Sequence, residues 1–150
     1  SKLERNYHVF YQFMKGASNE MKSKLLIDNG PDGYAFTKQG KKTIRGVDDE
    51  AEFKLLVSAL TTTGFTPDEQ FNLFRIIAAI LHLGNIQVQS TRLDEAMLKE
   101  HITPEKVCHV LGIQVNDFTK ALLRPSIRAG RDWVTQSRSA EQVVYSIEAL

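Results

Sequence analysis

The chain has 150 residues, with 19 Lys plus Arg against 18 Asp plus Glu for a formal charge of +1, and it is 42% hydrophobic and 25% charged. That balance excludes an intrinsically disordered polymer, argues against a globally basic nucleic-acid binder, and predicts one globular domain with a real core. A single cysteine excludes an internal disulfide framework. The longest uncharged apolar run, residues 76–81, falls far short of the ~20 residues that span a bilayer, and "SKLERNYHVF" lacks the apolar centre of a signal peptide. A soluble intracellular protein is the expectation.

In chain order, Tyr7, Phe10, Tyr11 and Met14 have the i, i+3, i+4, i+7 spacing of a one-sided helix, with Gly16 as its stop. Tyr34 to Thr37 and Thr43 to Val47 flank a Gly and Lys turn and predict a short hairpin. Phe53, Leu56, Val57 and Leu60 repeat the helical spacing, begun by Asp48 or Asp49 and stopped by Gly64. Thr66, Pro67 and Glu69 read as the N-cap, first-position proline and reciprocal acid of a capping box, and Gly84 stops the helix they open. From Leu73 to Leu83 only Arg75 and His82 interrupt the apolar residues, which predicts a helix buried nearly all round in the middle of the fold.

Thr103 and Pro104 open a further helix that Gly112 closes, and Asn116 caps another that ends before Arg124-Pro125. Ser126 to Ala129 and Asp132 to Gln136 flank Gly130-Arg131 and predict a projecting hairpin, followed by Ser139 as an N-cap with Gln142 three residues on. Val143, Val144, Ile147 and Leu150 form an apolar stripe still running at the last residue, so a piece of a longer polypeptide is expected. The predicted fold class is mainly α, a helical fragment with one or two short β-hairpins in a single domain over residues 1–150.

Candidate chemistry is sparse. "QGKKT" at 39–43 resembles the end of a phosphate-binding loop, but Ala35 and Lys42 stand where that motif needs Gly and Ser or Thr. His8, His82, His101 and His109 lack metal-ligand spacing, Cys108 reads as a buried thiol, and Asp48, Asp49, Glu50 and Glu52 read as a charged helix start. No catalytic residue and no metal site is predicted. The informative feature is the ribbon itself, where Arg124, Arg128, Arg131 and Arg138 surround Trp133 with Asp132 among them. Trp133 is expected to pack against the core. Two readings of other classes fit less well: a non-catalytic helical scaffold or adaptor, and a nucleic-acid module using the arginines on phosphates and Trp133 as a stacking platform.

Five blocks in order, "ERNYHVFYQ", "TIRGVDDEAEF", "GFTPDEQFNLFRIIAAILHLGNI", "ALLRPSIRAGRDWVTQSRSAEQ" and "YSIEAL", resemble the myosin motor head, and the "AGRDWVTQ" wording is most similar to conventional class II members. The resemblance implies most of the upper 50 kDa subdomain of an ATP-driven actin motor, without P-loop, switch I or switch II. It implies no ATPase in this piece alone, no cofactor here, and MgATP for the parent. The implied partners are the actin filament and the remaining motor subdomains, with no nucleic acid or membrane, in a cytoplasmic, cytoskeleton-associated protein whose parent can dimerise through a coiled-coil tail. By resemblance, Arg124, Ser126, Ile127, Arg128, Arg131 and Asp132 belong to an actin-contacting hairpin, the cardiomyopathy-type loop. Glu4, Arg5, Asn6 and His8 match a segment near the nucleotide site that does not touch it. Residues 87–102 match a surface loop that makes an accessory contact at most, with Met97 and Leu98 expected to cover the core. Asp132, sixteen positions before Glu148 (148 − 132), stands where the family carries an acid or a phosphorylatable hydroxyl.

Overall fold

Among residues 4–149, which the computed structural model describes, eight α-helices and two antiparallel strand pairs form, as the mainly α expectation required. The chain divides into two units, Ser1–Leu81 and His82–Leu150.

In the first unit, α1 (His8–Gly16) buries Phe10, Tyr11, Phe13 and Met14, and α4 (Asp49–Thr62) turns Phe53 inward. Asp48 starts α4 by accepting the N–H groups of Glu50 and Ala51 at 3.0 and 3.3 Å, which satisfies two of the orphan donors of the first turn. Gly16 lies inside α1, where a Cβ would collide with the Phe53 side chain, so it permits two helices to approach instead of merely ending one. That approach brings Phe13 and Phe53 against Phe74 of α5 (Pro67–Leu83). The Phe13 and Phe74 rings stack at 5.6 Å, and Phe53 meets Phe74 at 5.0 Å.

The capping box of α5 forms as expected: the Thr66 N–H and hydroxyl donate to Glu69 Oε2 at 2.8 and 2.9 Å, and the Glu69 N–H donates back to Thr66 Oγ1 at 3.3 Å. These bonds hold the Glu69 carboxyl below its usual range. Burial nearly all round holds only at the end of α5, where Ala78, Ala79, Leu81, His82 and Leu83 are all buried. Nearer its start the helix is one-sided: Phe74 is buried, whereas Leu73 is 36% and Ile76 53% exposed. There the wall made by Phe13 and Phe53 covers a single face.

The hairpin expected over Tyr34–Val47 is absent. A 3₁₀ turn at Pro31–Gly33 leads into α3 (Ala35–Lys38), and residues 43–47 form no strand. Tyr34 and Thr37 are both fully buried, a spacing of three that suits a helical turn and would put them on opposite faces of a strand. Thr37 Oγ1 donates to the Pro31 carbonyl at 2.6 Å and fixes the turn. Between α1 and this turn lies α2 (Asn19–Lys24), with Ser18 as its cap.

The second unit contains a strand pair that the sequence reading missed. In it β1 (Val88–Ser90) and β2 (Ala96–Leu98) pair with Val88 opposite Leu98 and Ser90 opposite Ala96. Asp94 takes the left-handed conformation at the turn, φ 59°, which a short polar side chain tolerates. The helix read as opening at Thr103 begins one residue earlier, as α6 (Ile102–Leu111), with the Glu100 carboxylate accepting the Thr103 N–H at 3.1 Å and Gly112 closing it at φ 71°. Asn116 lies within α7 (Val115–Leu123) and does not cap it. The last elements are β3 (Ser126–Ala129), β4 (Asp132–Thr135) and α8 (Ala140–Glu148), whose Ser139–Gln142 capping box is complete. Leu83, Ile86, Ala96, Leu98, Val107, Leu122, Val143 and Ile147 make the core of this unit. Val144 is exposed, so the stripe on α8 is narrower than expected, and Leu150 lies outside the described residues. Among the described residues no helix is long and apolar enough to cross a membrane.

The one-sided burial of α5 around Phe74 and Ile76 has a measurable consequence. Phe74→Ala should cost about 3–5 kcal/mol in a urea unfolding curve, whereas Ile76→Ala should stay within about 0.5 kcal/mol. Equal losses would contradict the exposed setting of Ile76 opposite the buried Phe74.

Candidate functional site

The ribbon begins where α7 must end, because Pro125 steers Arg124 out of helical geometry, φ −139° and ψ 63°. β3 and β4 pair with Ser126 opposite Thr135, Ile127 opposite Val134, Arg128 opposite Trp133 and Ala129 opposite Asp132. Gly130 turns the chain at φ 67°. Facing residues share a side, so Ile127, Val134, Ala129 and Asp132 occupy one face and Ser126, Thr135, Arg128 and Trp133 the other. All eight strand residues are exposed.

The base of the ribbon is closed tightly. The Gln136 N–H donates to the Pro125 carbonyl and the Arg138 N–H to the Leu123 carbonyl, both at 3.0 Å, while the Ala96 N–H donates to the Arg138 carbonyl at 2.8 Å. Arg138 Nη1 adds bonds at 3.2 Å to the Leu122 carbonyl and to Ser146 Oγ. Arg138 is therefore a fastener, although in sequence it reads as one more basic residue of the ribbon.

Each predicted contact residue has a definite setting. Arg124 Nη2 pairs with Glu95 Oε2 at 3.2 Å, so its charge is partly cancelled. Arg128 Nε donates to the Gly130 carbonyl at 3.2 Å and stays at the tip. Ser126, Ile127, Arg131 and Asp132 point to solvent, and among the described residues Asp132 makes no ion pair with Arg128 or Arg131. Trp133 is 71% exposed and does not pack on the core as expected. A two-stranded ribbon lacks a second layer to cover either face. Leu98 is buried as expected, but Met97 is 42% exposed because it alternates with Ala96 and Leu98 on β2.

Glu4, Arg5, Asn6 and His8 lie in the other unit. The Glu4 carbonyl accepts the Lys41 N–H at 3.1 Å, and Asn6 Nδ2 donates to the Phe36 carbonyl at 2.7 Å. Arg5 is buried, pairs with Asp49, and lies 4.2 Å above the Tyr11 ring. His8 is exposed. Asp49 is thus an ion-pair partner, whereas its place beside Asp48 suggested a cap.

Residues 39–43 do not make a phosphate cradle: they follow a four-residue helix, Gly40 sits against the Glu4 carbonyl, and the Lys41 N–H is already used. Among the described residues no group of three His, Cys, Asp or Glu side chains is placed to hold a metal ion. Cys108 is buried, as expected, and burial pushes its thiol up, away from the reactive thiolate. His82 is buried as well.

The family model of the myosin head (motor domain) matches residues 1–150. The chain is 45% identical over 150 residues to myosin type-2 heavy chain 1 of Schizosaccharomyces pombe, all of this chain and 10% of that protein. It is 44% identical over 150 residues to myosin type-2 heavy chain 2 of the same organism, again all of this chain and 7% of the relative. Against the non-muscle myosin heavy chain of Drosophila melanogaster it is 38% identical over 151 residues, all of this chain and 7% of that one. The chain thus spans a tenth or less of the length of these curated relatives.

The setting of Trp133 is directly readable, since it is the one tryptophan of the chain. Its native fluorescence should be red-shifted and fully open to acrylamide quenching, with little further shift on unfolding. A blue-shifted, quencher-protected emission would place the indole in a core.

Proposed function

Because the chain belongs to the myosin head (motor domain) family and is similar to type-2 heavy chains along its whole length, we propose that it is a segment of an ATP-driven motor whose Ser126–Thr135 ribbon contacts the actin filament. The observation that carries this reading is the ribbon's combination of a fastened base and eight exposed strand residues, with Arg128 bonded to the Gly130 carbonyl at the tip and Arg131 and Asp132 exposed beside it. An acidic filament attracts such a surface, and a rigid presentation lowers the ordering cost of binding. Ile127 and Val134 supply an apolar patch on one face and Trp133 on the other.

The segment corresponds to most of the upper 50 kDa subdomain of a cytoplasmic, cytoskeletal motor. Its remaining subdomains cover the exposed apolar face of α5 at Leu73 and Ile76. The β1–β2 hairpin, with Leu93 83% exposed at its tip, is an accessory contact. MgATP belongs to the parent. The part played by this segment in that motor is mechanical and adhesive. Glu4, Arg5, Asn6 and His8 brace the helices near the nucleotide site without binding nucleotide.

Two measurements on the complete motor test the reading. Each exposed charge contributes only about 0.2–1 kcal/mol, so Arg128→Ala with Arg131→Ala should slow actin association several-fold at low salt and flatten its salt dependence. Arg124→Ala should do less, because Glu95 already offsets that charge. Equal salt slopes for variant and parent would remove the ribbon from the interface. Asp132→Asn tests the built-in acid: simple attraction to an acidic filament predicts tighter binding, whereas the family pattern predicts a several-fold fall in actin-activated ATPase with an unchanged melting temperature. A rise in activation would refute the role of the acid.

A further inference from the structure

The two hairpins of the second unit share one root, and two neighbouring residues make the joint. Glu95 and Ala96, where the chain enters β2, each hold a different end of the ribbon. The Ala96 N–H donates at 2.8 Å to the carbonyl of Arg138, where the chain leaves the ribbon. The Glu95 carboxylate holds Arg124, where the chain enters it, through Nη2 at 3.2 Å. Pro125 has no N–H to offer at that incoming end, so the Arg124 guanidinium supplies the cross-link there. Ala96 and Leu98 are buried in the core of the unit, which makes β2 a fixed support for both grips.

Glu95 is itself held from the turn of its own hairpin. Its carbonyl accepts the Thr91 N–H at 2.8 Å, and its N–H donates to Thr91 Oγ1 at 3.2 Å. The same hydroxyl accepts the Leu93 N–H at 3.3 Å. One side chain therefore connects the exposed tip of the β1–β2 hairpin to the residue that grips Arg124. A two-stranded ribbon is marginal by itself and takes its orientation from its root.

We infer that Arg124 and Glu95 are positioning residues that clamp the ribbon to the β1–β2 hairpin, so that the two hairpins move as one body and a displacement at Leu93 changes how the ribbon is presented. The clamp is a property of the fold; its use on a filament rests on the function proposed above. Arg124 then serves the contact through Glu95 and not by touching the filament.

The test uses the complete motor and two readouts. The first, without filament, is amide exchange at Gln136 and Arg138, whose N–H groups close the root. Arg124→Ala, Glu95→Ala and the two together should each speed that exchange about two- to fivefold, the range that one exposed ion pair supports. No further loss is expected in the double variant, because both changes remove the same bond. Thr91→Val, in the turn of the other hairpin, should speed the same amides, and exchanging the charges with Glu95→Arg and Arg124→Glu should restore much of their protection. The second readout is the rate of dissociation from actin filaments, which should rise by a similar factor in the single variants and return toward the parent in the exchanged pair, at an unchanged melting temperature. Because Glu95 offsets the Arg124 charge, this loss falls on dissociation and not on the salt slope. Unchanged exchange in the single variants, or additive losses in the double, would overturn the clamp. Faster exchange with unchanged dissociation, in a motor whose Arg128 and Arg131 variant does alter filament binding, would overturn its part in presenting the ribbon. Where that variant binds filaments as the parent does, the ribbon is not the contact, and the exchange rates alone decide the clamp.

Discussion

Arg138 ties the base of the ribbon to three other elements at once. Its backbone N–H reaches the end of α7, its carbonyl receives the first N–H of β2, and its guanidinium spans from the Leu122 carbonyl to Ser146 on α8. Hydrogen bonds from a charged donor contribute about 1.5–3 kcal/mol, and an isolated two-stranded ribbon is marginal in water. The ribbon therefore takes its position from its base and not from its own pairing. This separation of tasks leaves every side chain of β3 and β4 available for a partner. It also explains why an arginine and a tryptophan stand side by side in the open without contributing to a core.

The first unit shows the same economy around a different charge. Arg5, Asn6 and the Glu4 carbonyl fasten one short segment to α4, α3 and the loop that follows α3. A buried ion pair adds little net stability, but loss of either partner strands a charge and typically costs about 3–5 kcal/mol. The Tyr11 face beneath the guanidinium and the single carboxylate of Asp49 fix its orientation. The aromatic contact of Phe13, Phe53 and Phe74 then closes the helices over this segment, through the space that Gly16 leaves.

Much of this was legible in the sequence wherever a local rule had one outcome. The Thr66–Glu69 and Ser139–Gln142 capping boxes, the Gly112 stop and the Gly130 turn all formed where their chemistry put them. The ribbon's position followed from the same signals, whereas its candidate contact residues come from the resemblance to the motor head alone. Burial was harder to read, because an apolar run such as 76–81 states only that the residues avoid water, not which neighbours exist to cover them. Ile76 and Trp133 are exposed for that reason. The stretch "YAFT" fits a strand or a helical turn equally well, and the Thr37 hydroxyl bond to Pro31 decided the matter. The β1–β2 pair was missed since its strands are three residues long and its turn uses Asp94 where a glycine would have signalled it. Arg138 carried no local sign of its role, which depends on partners far along the chain.

The central claim is that the ribbon is the surface that meets the filament. Amide hydrogen exchange of the complete motor, with and without actin filaments and in the absence of nucleotide, reads that surface residue by residue. The amides of Ile127 to Thr135 should exchange markedly more slowly on the filament, with α6 and α7 nearly unchanged. Identical exchange across the ribbon in the two states, alongside confirmed filament binding, would contradict the account.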